Sequence, residues 1–302
     1  MTDIEATLAA LDEALTNISQ LVGKTVLIKV GGSTLGSQDT TLQDVVTLTR
    51  LGARVVIVHG GGATISQWLG RIGLQPRFVN GLRVTDAETM EVVAMVLAGK
   101  VNKELVAGIH SHGGRAIGLC GVDGALLRAR QQDPALGLVG EVTAVDTAAL
   151  QPLLAAGYIP VIAPIALGER GEILNLNADT AAAELAIALG CERLIFLTDV
   201  PGICDAVGNV LACLSCEETN QLMTNGVIAG GMVPKAKACL KAVEQVPSAH
   251  IIDGRVPRAL IRQLLTSQTT GTTISRATIV AGPTASEREQ TAGQSKQTTS
   301  EQ

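Results

Sequence analysis

The feature that most constrains this chain is a glycine cluster set directly behind a strand, and it occurs twice. Lys29-Val30-Gly31-Gly32 follows Val26-Leu27-Ile28, and His59-Gly60-Gly61-Gly62 follows Arg54-Val55-Val56-Ile57-Val58, each leading towards a helix. Such a join lets an α/β protein expose backbone N–H groups to an anion. A simple turn rarely needs three consecutive glycines, because each costs backbone entropy; close approach of the backbone to a ligand accounts for them better. A third pair, Gly230-Gly231, opens a predicted helix with Pro234 and Lys235 in its first turn. A cation there opposes the positive end of the helix dipole, and a bound anion would resolve the conflict. Together the three segments point to phosphate chemistry.

The pattern around them predicts an α/β fold, a largely parallel central sheet sandwiched by helices. Strand-like runs recur at Thr25–Val30, Val55–His59, Ala116–Cys120, Ile159–Ala163, Arg193–Leu197 and Ala249–Ile252, separated mostly by helical patterns. The polar run Gly168-Glu169-Arg170-Gly171-Glu172 is the expected lobe boundary, dividing residues 23–167 from 168–276, and Asp205-Ala206-Val207-Gly208-Asn209 reads as a turn. From Ala277 to Gln302 large apolar residues all but vanish, so this tail is expected to be disordered. Ahead of the first strand, Ile4, Leu8, Leu11, Leu15, Ile18 and Val22 form one apolar helical stripe over residues 1–22. That stripe can pack on its own domain or project to a partner subunit.

Composition narrows the class further. A chain of 302 residues that is 46% hydrophobic can bury one large core or two lobes. The net charge of -5 argues against nucleic acid, and Trp68, Phe78, Tyr158 and Phe196 are too few aromatics for a base-stacking platform. The six cysteines lie singly in apolar or mixed segments, as reduced thiols of a cytoplasmic protein do; Cys213 and Cys216 form a lone CxxC without the second ligand pair a metal site needs. No stretch reaches transmembrane length and no charged leader precedes an apolar run, so no membrane partner and a cytoplasmic location are expected.

Familiar signatures are missing. Val22-Gly23-Lys24-Thr25 looks like the end of a P-loop but has Ile18 where its first glycine belongs; neither glycine cluster matches G-x-G-x-x-G, and there is no G-x-S-x-G elbow. Lys29 alone reads as a lysine snorkelling from a strand end, yet its place at the carboxyl end of a parallel strand is where such sheets bind ligands. Thr85 and Glu88 form a capping box that starts a helix, with Arg83 just ahead of it, suited either to the surface or to bidentate carboxylate recognition. Asn175-Leu176-Asn177-Ala178-Asp179 precedes an alanine-rich helix over 180–189, which Asp179 could cap; two asparagines and an aspartate are more than a cap requires, so part of the loop is expected to face a ligand.

These segments, with Leu197-Thr198-Asp199-Val200-Pro201-Gly202 and Gly230-Gly231-Met232-Val233-Pro234-Lys235, resemble the acetylglutamate kinases of the amino-acid kinase family, in family order from about Gly23 to Arg276. The stretch Asn80-Gly81-Leu82-Arg83-Val84-Thr85 separates this branch from relatives with other acceptors. The resemblance implies ATP with Mg²⁺ and phosphorylation of the side-chain carboxylate of N-acetyl-L-glutamate in arginine biosynthesis. It implies that Lys29 and Lys235 neutralise the transferring phosphoryl group and that Asp179 holds the two lysines. Gly61, Gly62, Arg83 and Asn175 would bind the acceptor, and Gly31, Gly32, Thr198 and Asp199 would line the ATP side; no protein metal site is expected. The alternatives are a kinase for carrier-bound aminoadipate or glutamate, and a catalytically silent module on the same fold. The resemblance further implies that the N-terminal helix joins dimers into a hexamer. Arginine-inhibited members carry an aromatic residue where this chain has Asn17 and an acidic residue where it has Gln263.

Overall fold

The computed structural model describes residues 3–31, 40–267 and 270–276; Gly32 and the predicted tail lie outside them. Fourteen strands are described: β1 (Thr25–Val30), β2 (Arg54–His59), β3 (Phe78–Val79), β4 (Leu82–Arg83), β5 (Ala116–Cys120), β6 (Leu127–Gln131), β7 (Gly140–Val145), β8 (Ile159–Ala163), β9 (Ile165–Gly168), β10 (Ile173–Asn175), β11 (Arg193–Thr198), β12 (Cys213–Ser215), β13 (Ser248–Asp253) and β14 (Gly271–Ser275). The α-helices are α1 (Asp3–Leu21), α2 (Thr41–Arg50), α3 (Gly62–Arg71), α4 (Ala87–Ala94), α5 (Asn102–Ser111), α6 (Leu150–Ala155), α7 (Ala178–Ala188), α8 (Cys216–Thr224), α9 (Met232–Ala242) and α10 (Ala259–Leu265), with a π-helical stretch, Met95–Val101, joining α4 to α5.

Eight strands form the main sheet in the order β12-β14-β13-β11-β1-β2-β8-β5, parallel throughout except where β13 meets β14. The predicted strands are therefore present, and the sheet is largely parallel. The reason is visible in β1: with side chains alternating between faces, Val26, Ile28 and Val30 join the core beneath α2, α3, α5 and α10, while Leu27 joins the opposite core beneath α6, α7 and α9. A strand buried on both faces must be apolar throughout, and Lys29 breaks that run. By the same alternation Lys29 shares the face of Leu27, towards α7.

A smaller sheet, β10-β9-β6-β7, and the β3–β4 hairpin flank the upper edge. Residues 169–172 form the turn of the antiparallel β9–β10 hairpin. Of the predicted apolar stripe, only Ile18 reaches the core next to α10, where Leu21 joins it, while Ile4, Leu8, Leu11, Leu15 and Val22 stay more than half exposed. Among the described residues no helix is long and apolar enough to cross a membrane.

Candidate active site

The carboxyl ends of β1, β2 and β11 open into a cleft of about 350 Å³. Lys29, Gly31, Gly61, Gly62, Arg83, Asn175, Asp179, Thr198, Asp199 and Lys235 all line it, so the predicted site residues that are described come together in one place. Ligands in open α/β sheets bind at such strand ends, where neighbouring connections diverge to opposite faces.

The charged centre is a bridge through Asp179. Lys29 Nζ lies 2.7 Å from Asp179 Oδ1, and Lys235 Nζ lies 3.2 Å from Oδ2. Asp179 is 5% exposed and Lys29 7%. Burial alone would raise the Asp179 pKa, but the two ammonium groups outweigh it and hold the carboxyl below its ordinary range. Lys235 sits in the first turn of α9, against the dipole as foreseen, and the offsetting negative charge comes from within the protein, from Asp179.

Two caps differ from expectation. Asp179 does not cap the alanine-rich helix: α7 begins earlier, at Ala178, and the Asn177 side chain caps it by accepting from the N–H groups of Asp179 (2.9 Å) and Thr180 (3.1 Å). Asn177 leaves the Asp179 carboxylate to the lysines; an asparagine two residues before the aspartate was the available signal. Nor does Thr85 form a capping box, since its hydroxyl donates to the Arg83 carbonyl at 2.9 Å and accepts from Asn175 Nδ2 at 3.2 Å. The cap of α4 is Asp86, whose Oδ1 accepts from Thr89 N.

Arg83 is buried on the short strand β4. Asn80 (φ 50°) and Gly81 (φ 81°) form the left-handed turn that joins β3 to β4, which an Asn-Gly pair favours and the sequence reading overlooked. The hairpin brings Phe78 over the guanidinium, with Cζ 4.7 Å from the ring centroid. Arg83 Nη2 donates to the Gly62 carbonyl (2.8 Å) and to Ser66 Oγ (2.9 Å), while buried Nη1 has no hydrogen-bond partner among the described residues. Burial lowers the Arg83 pKa, so an anion is a favourable neighbour. Phe78 and Ser66 carried no motif, and only folding reveals them.

Gly61, the N-cap of α3, has an extended φ of 175°, so conformation does not demand glycine there. A Cβ would lie 2.5 Å from Leu97 Cδ2 in the π-helical stretch, so any side chain there must displace the Leu97 methyl. The amino ends of α3, α7 and α9 thus converge on the cleft, with N–H groups that lack intrahelical partners. On the other wall, Thr198 Oγ1 approaches Asp199 Oδ1 at 3.4 Å. Among the described residues no three His, Cys, Asp or Glu side chains cluster as a metal site. Away from the cleft, Gln263 donates to His250 Nδ1 (3.2 Å) and accepts from Thr270 N (3.1 Å).

Comparison with known proteins bears on what the cleft does. The sequence profile of the amino acid kinase family matches residues 24–253. The chain is similar to a protein named acetylglutamate kinase from Synechococcus sp., 46% identical over 272 residues that cover 87% of this chain and 90% of that protein. It is likewise similar to one so named from Moorella thermoacetica, 47% identical over 282 residues, 87% and 95% of the two chains. Among solved structures, N-acetylglutamate synthase from Neisseria gonorrhoeae complexed with coenzyme A and N-acetyl-glutamate superposes with a TM-score of 0.80 at 27% identity, covering 89% of this chain and 63% of that longer one.

Proposed function

This chain belongs to the amino acid kinase family, and from that premise we propose that it transfers the γ-phosphoryl group of ATP to the side-chain carboxylate of N-acetyl-L-glutamate, the second step of arginine biosynthesis. The observation that carries the reading is the pairing, within one cleft, of a lysine pair braced by a buried aspartate with an arginine whose buried Nη1 has no partner among the described residues.

ATP supplies the electrophilic phosphorus. A carboxylate oxygen of the acceptor forms the new P–O bond as the bond from Pγ to the β,γ-bridging oxygen breaks, and ADP leaves with that electron pair. The acceptor is ionised well below neutral pH, so no side chain need remove a proton. Lys29 and Lys235 neutralise charge on the equatorial and bridging oxygens, and Asp179 keeps both ammonium groups in position. The N–H groups of Gly61 and Gly62 orient the reacting oxygens. Arg83 and Asn175 grip the main-chain carboxylate and amide of acetylglutamate, which sets the distance from its γ-carboxylate to the lysines. Gly31, Gly32, Thr198 and Asp199 bound the nucleotide side. The donors present suit ATP phosphates; Mg²⁺ would be held mainly by phosphate oxygens and water.

In this reading residues 23–167 form the acceptor lobe and 168–276 the nucleotide lobe, and the enzyme works in the cytoplasm. The exposed stripe of α1 supports assembly of dimers into a hexamer through this helix, and removal of residues 1–22 should then reduce the oligomer in light scattering. A coupled assay of ADP release tests the reaction itself: turnover with N-acetylglutamate and none with glutamate or aminoadipate is expected, and turnover with either of the latter alone would overturn the assignment.

A further inference from the structure

A buried polar cluster that the mechanism leaves unused lies directly beneath the Gly60–Gly62 turn. His59 ends β2 at 1% exposure, with Nδ1 2.9 Å from the Gly60 carbonyl oxygen and Nε2 3.2 Å from Asn102 Nδ2. Asn102 follows the π-helical stretch and is completely buried. Its amide orientation is fixed by partners of unambiguous chemistry: Nδ2 donates to the carbonyls of Val161 (2.8 Å) and Leu119 (3.3 Å), and Oδ1 accepts from Lys103 Nζ (3.0 Å). The Gly60 carbonyl can only accept, so the single ring proton resides on Nδ1 and donates to it, and Nε2, facing the amide hydrogens that Asn102 shares among it and the two carbonyls, carries none. A second ring proton would meet the amide hydrogens. Burial, with Lys103 nearby, pushes the pKa down to about 4, although the bond to Gly60 opposes the shift.

We propose that His59 is a positioning residue for phosphoryl transfer: its Nδ1–H, oriented by Asn102, holds the Gly60 carbonyl below the cleft and keeps the opening N–H groups of α3 aimed at the anionic oxygens. The surrounding fold agrees with so close a fit. A Cβ on Gly118 would lie 1.8 Å from Asn102 Oδ1, and one on Gly61 would strike Leu97, so the π-helical stretch and the strand ends lock around this network. π-Helical turns are frequent where function requires such local adjustment. The proposal rests on the kinase reading of the cleft.

Asparagine and glutamine separate this role from general packing. The asparagine amide in His59→Asn can stand where Nδ1 stands, whereas in His59→Gln it reaches the place of Nε2. His59→Asn is expected to keep kcat within about threefold of the parent chain, and His59→Gln to lose about ten- to a hundredfold, as misplacing a group that orients substrate does, with both variants melting at the same temperature. Long-range ¹H–¹⁵N spectra of the substrate-free protein should show a protonated Nδ1 and a bare Nε2 at pH 7. An Nε2–H tautomer, or two variants of equal activity, would overturn the proposal. Failure of the kinase reading is distinct, since the parent chain would then lack turnover while the tautomer is still observed.

Discussion

Asp179→Asn isolates what the central carboxylate contributes. The side chain keeps its shape and loses the charge that Lys29 and Lys235 share at 2.7 and 3.2 Å. Those contacts place the two ammonium nitrogens no more than about 8 Å apart, where an effective dielectric of about 20 gives a repulsion of about 2 kcal/mol. Without the carboxylate the ammonium groups relieve that repulsion by moving off the transferring phosphoryl group. If all of it appears in the barrier, kcat falls about thirtyfold. Thermal stability should fall further, because breaking a buried ion pair costs about 3–5 kcal/mol. The assays are steady-state ADP release from pH 6 to 9 and melting of the same samples. KM for ATP should not rise, since the cleft becomes more positive. An organiser leaves the profile flat with a reduced plateau. Loss of a general base would cost far more than thirtyfold, and that result, or an unchanged kcat, would refute the reasoning.

Arg83→Lys should raise KM for acetylglutamate at least tenfold with kcat less affected, because an ammonium cannot both hold Gly62 and Ser66 and present a second prong; a shift confined to the KM for ATP would place Arg83 on the wrong side of the cleft. Gly61→Ala drives a methyl into Leu97, which lines the cleft, so acceptor affinity should drop about tenfold or more, with recovery in Gly61→Ala/Leu97→Ala; no loss in the single variant would show that the contact relaxes freely. Stability should decline on the acid side of neutrality. His59 and His250 are held neutral, with pKa values lowered by burial to about 4 and about 3, so below the ordinary value near 6.5 the unfolded chain binds protons that the folded chain refuses. Each histidine then contributes a slope approaching about 1.4 kcal/mol per pH unit. The Asp179 contribution is complete above the ordinary carboxylate pKa and is lost as pH falls below about 4. Melting temperature should be level above pH 7 and fall steadily from 6.5 to 5; a level profile across that range would show that these histidines charge without unfolding.

The sequence disclosed the elements whose signals are local and repeated. β1, β5 and β8 match the predicted runs residue for residue, because short, mainly apolar segments bounded by turn residues read as strands. Most of the described residues that line the cleft stand at the end of a strand or the start of a helix, whereas Thr198 and Asp199 were singled out by the resemblance alone. What escaped depends on partners distant in sequence. Thr85 followed by Glu88 is a valid capping pattern, but Asn175, ninety residues on, engages the hydroxyl and leaves the cap to Asp86. That Asn177 and not Asp179 caps α7 follows from the fold, which turns the Asp179 carboxylate to the two lysines. Nothing in Met95–Val101 marks a π-helical stretch, whose register follows from Asn102 reaching carbonyls on β5 and β8. The Asn80-Gly81 turn is legible in the sequence, because an Asn-Gly pair favours the left-handed conformation that both residues adopt.

The convergence of three helix amino ends has an electrostatic consequence beyond the site. The chain carries a net charge of -5, yet its proposed substrates are both anions. Peptide dipoles add no net charge, and their field fades within about a helical turn, well inside the Debye length of about 8 Å at physiological salt. From a distance the protein repels what it binds, and attraction begins only at the mouth of the cleft. Ionic strength therefore acts in opposite directions on approach and on contact, screening the far repulsion more than the sheltered near field. Surface acidity, which favours solubility, is thereby separated from anion capture, because the backbone supplies part of the positive potential and the aspartate between the two lysines cancels only one of their two charges.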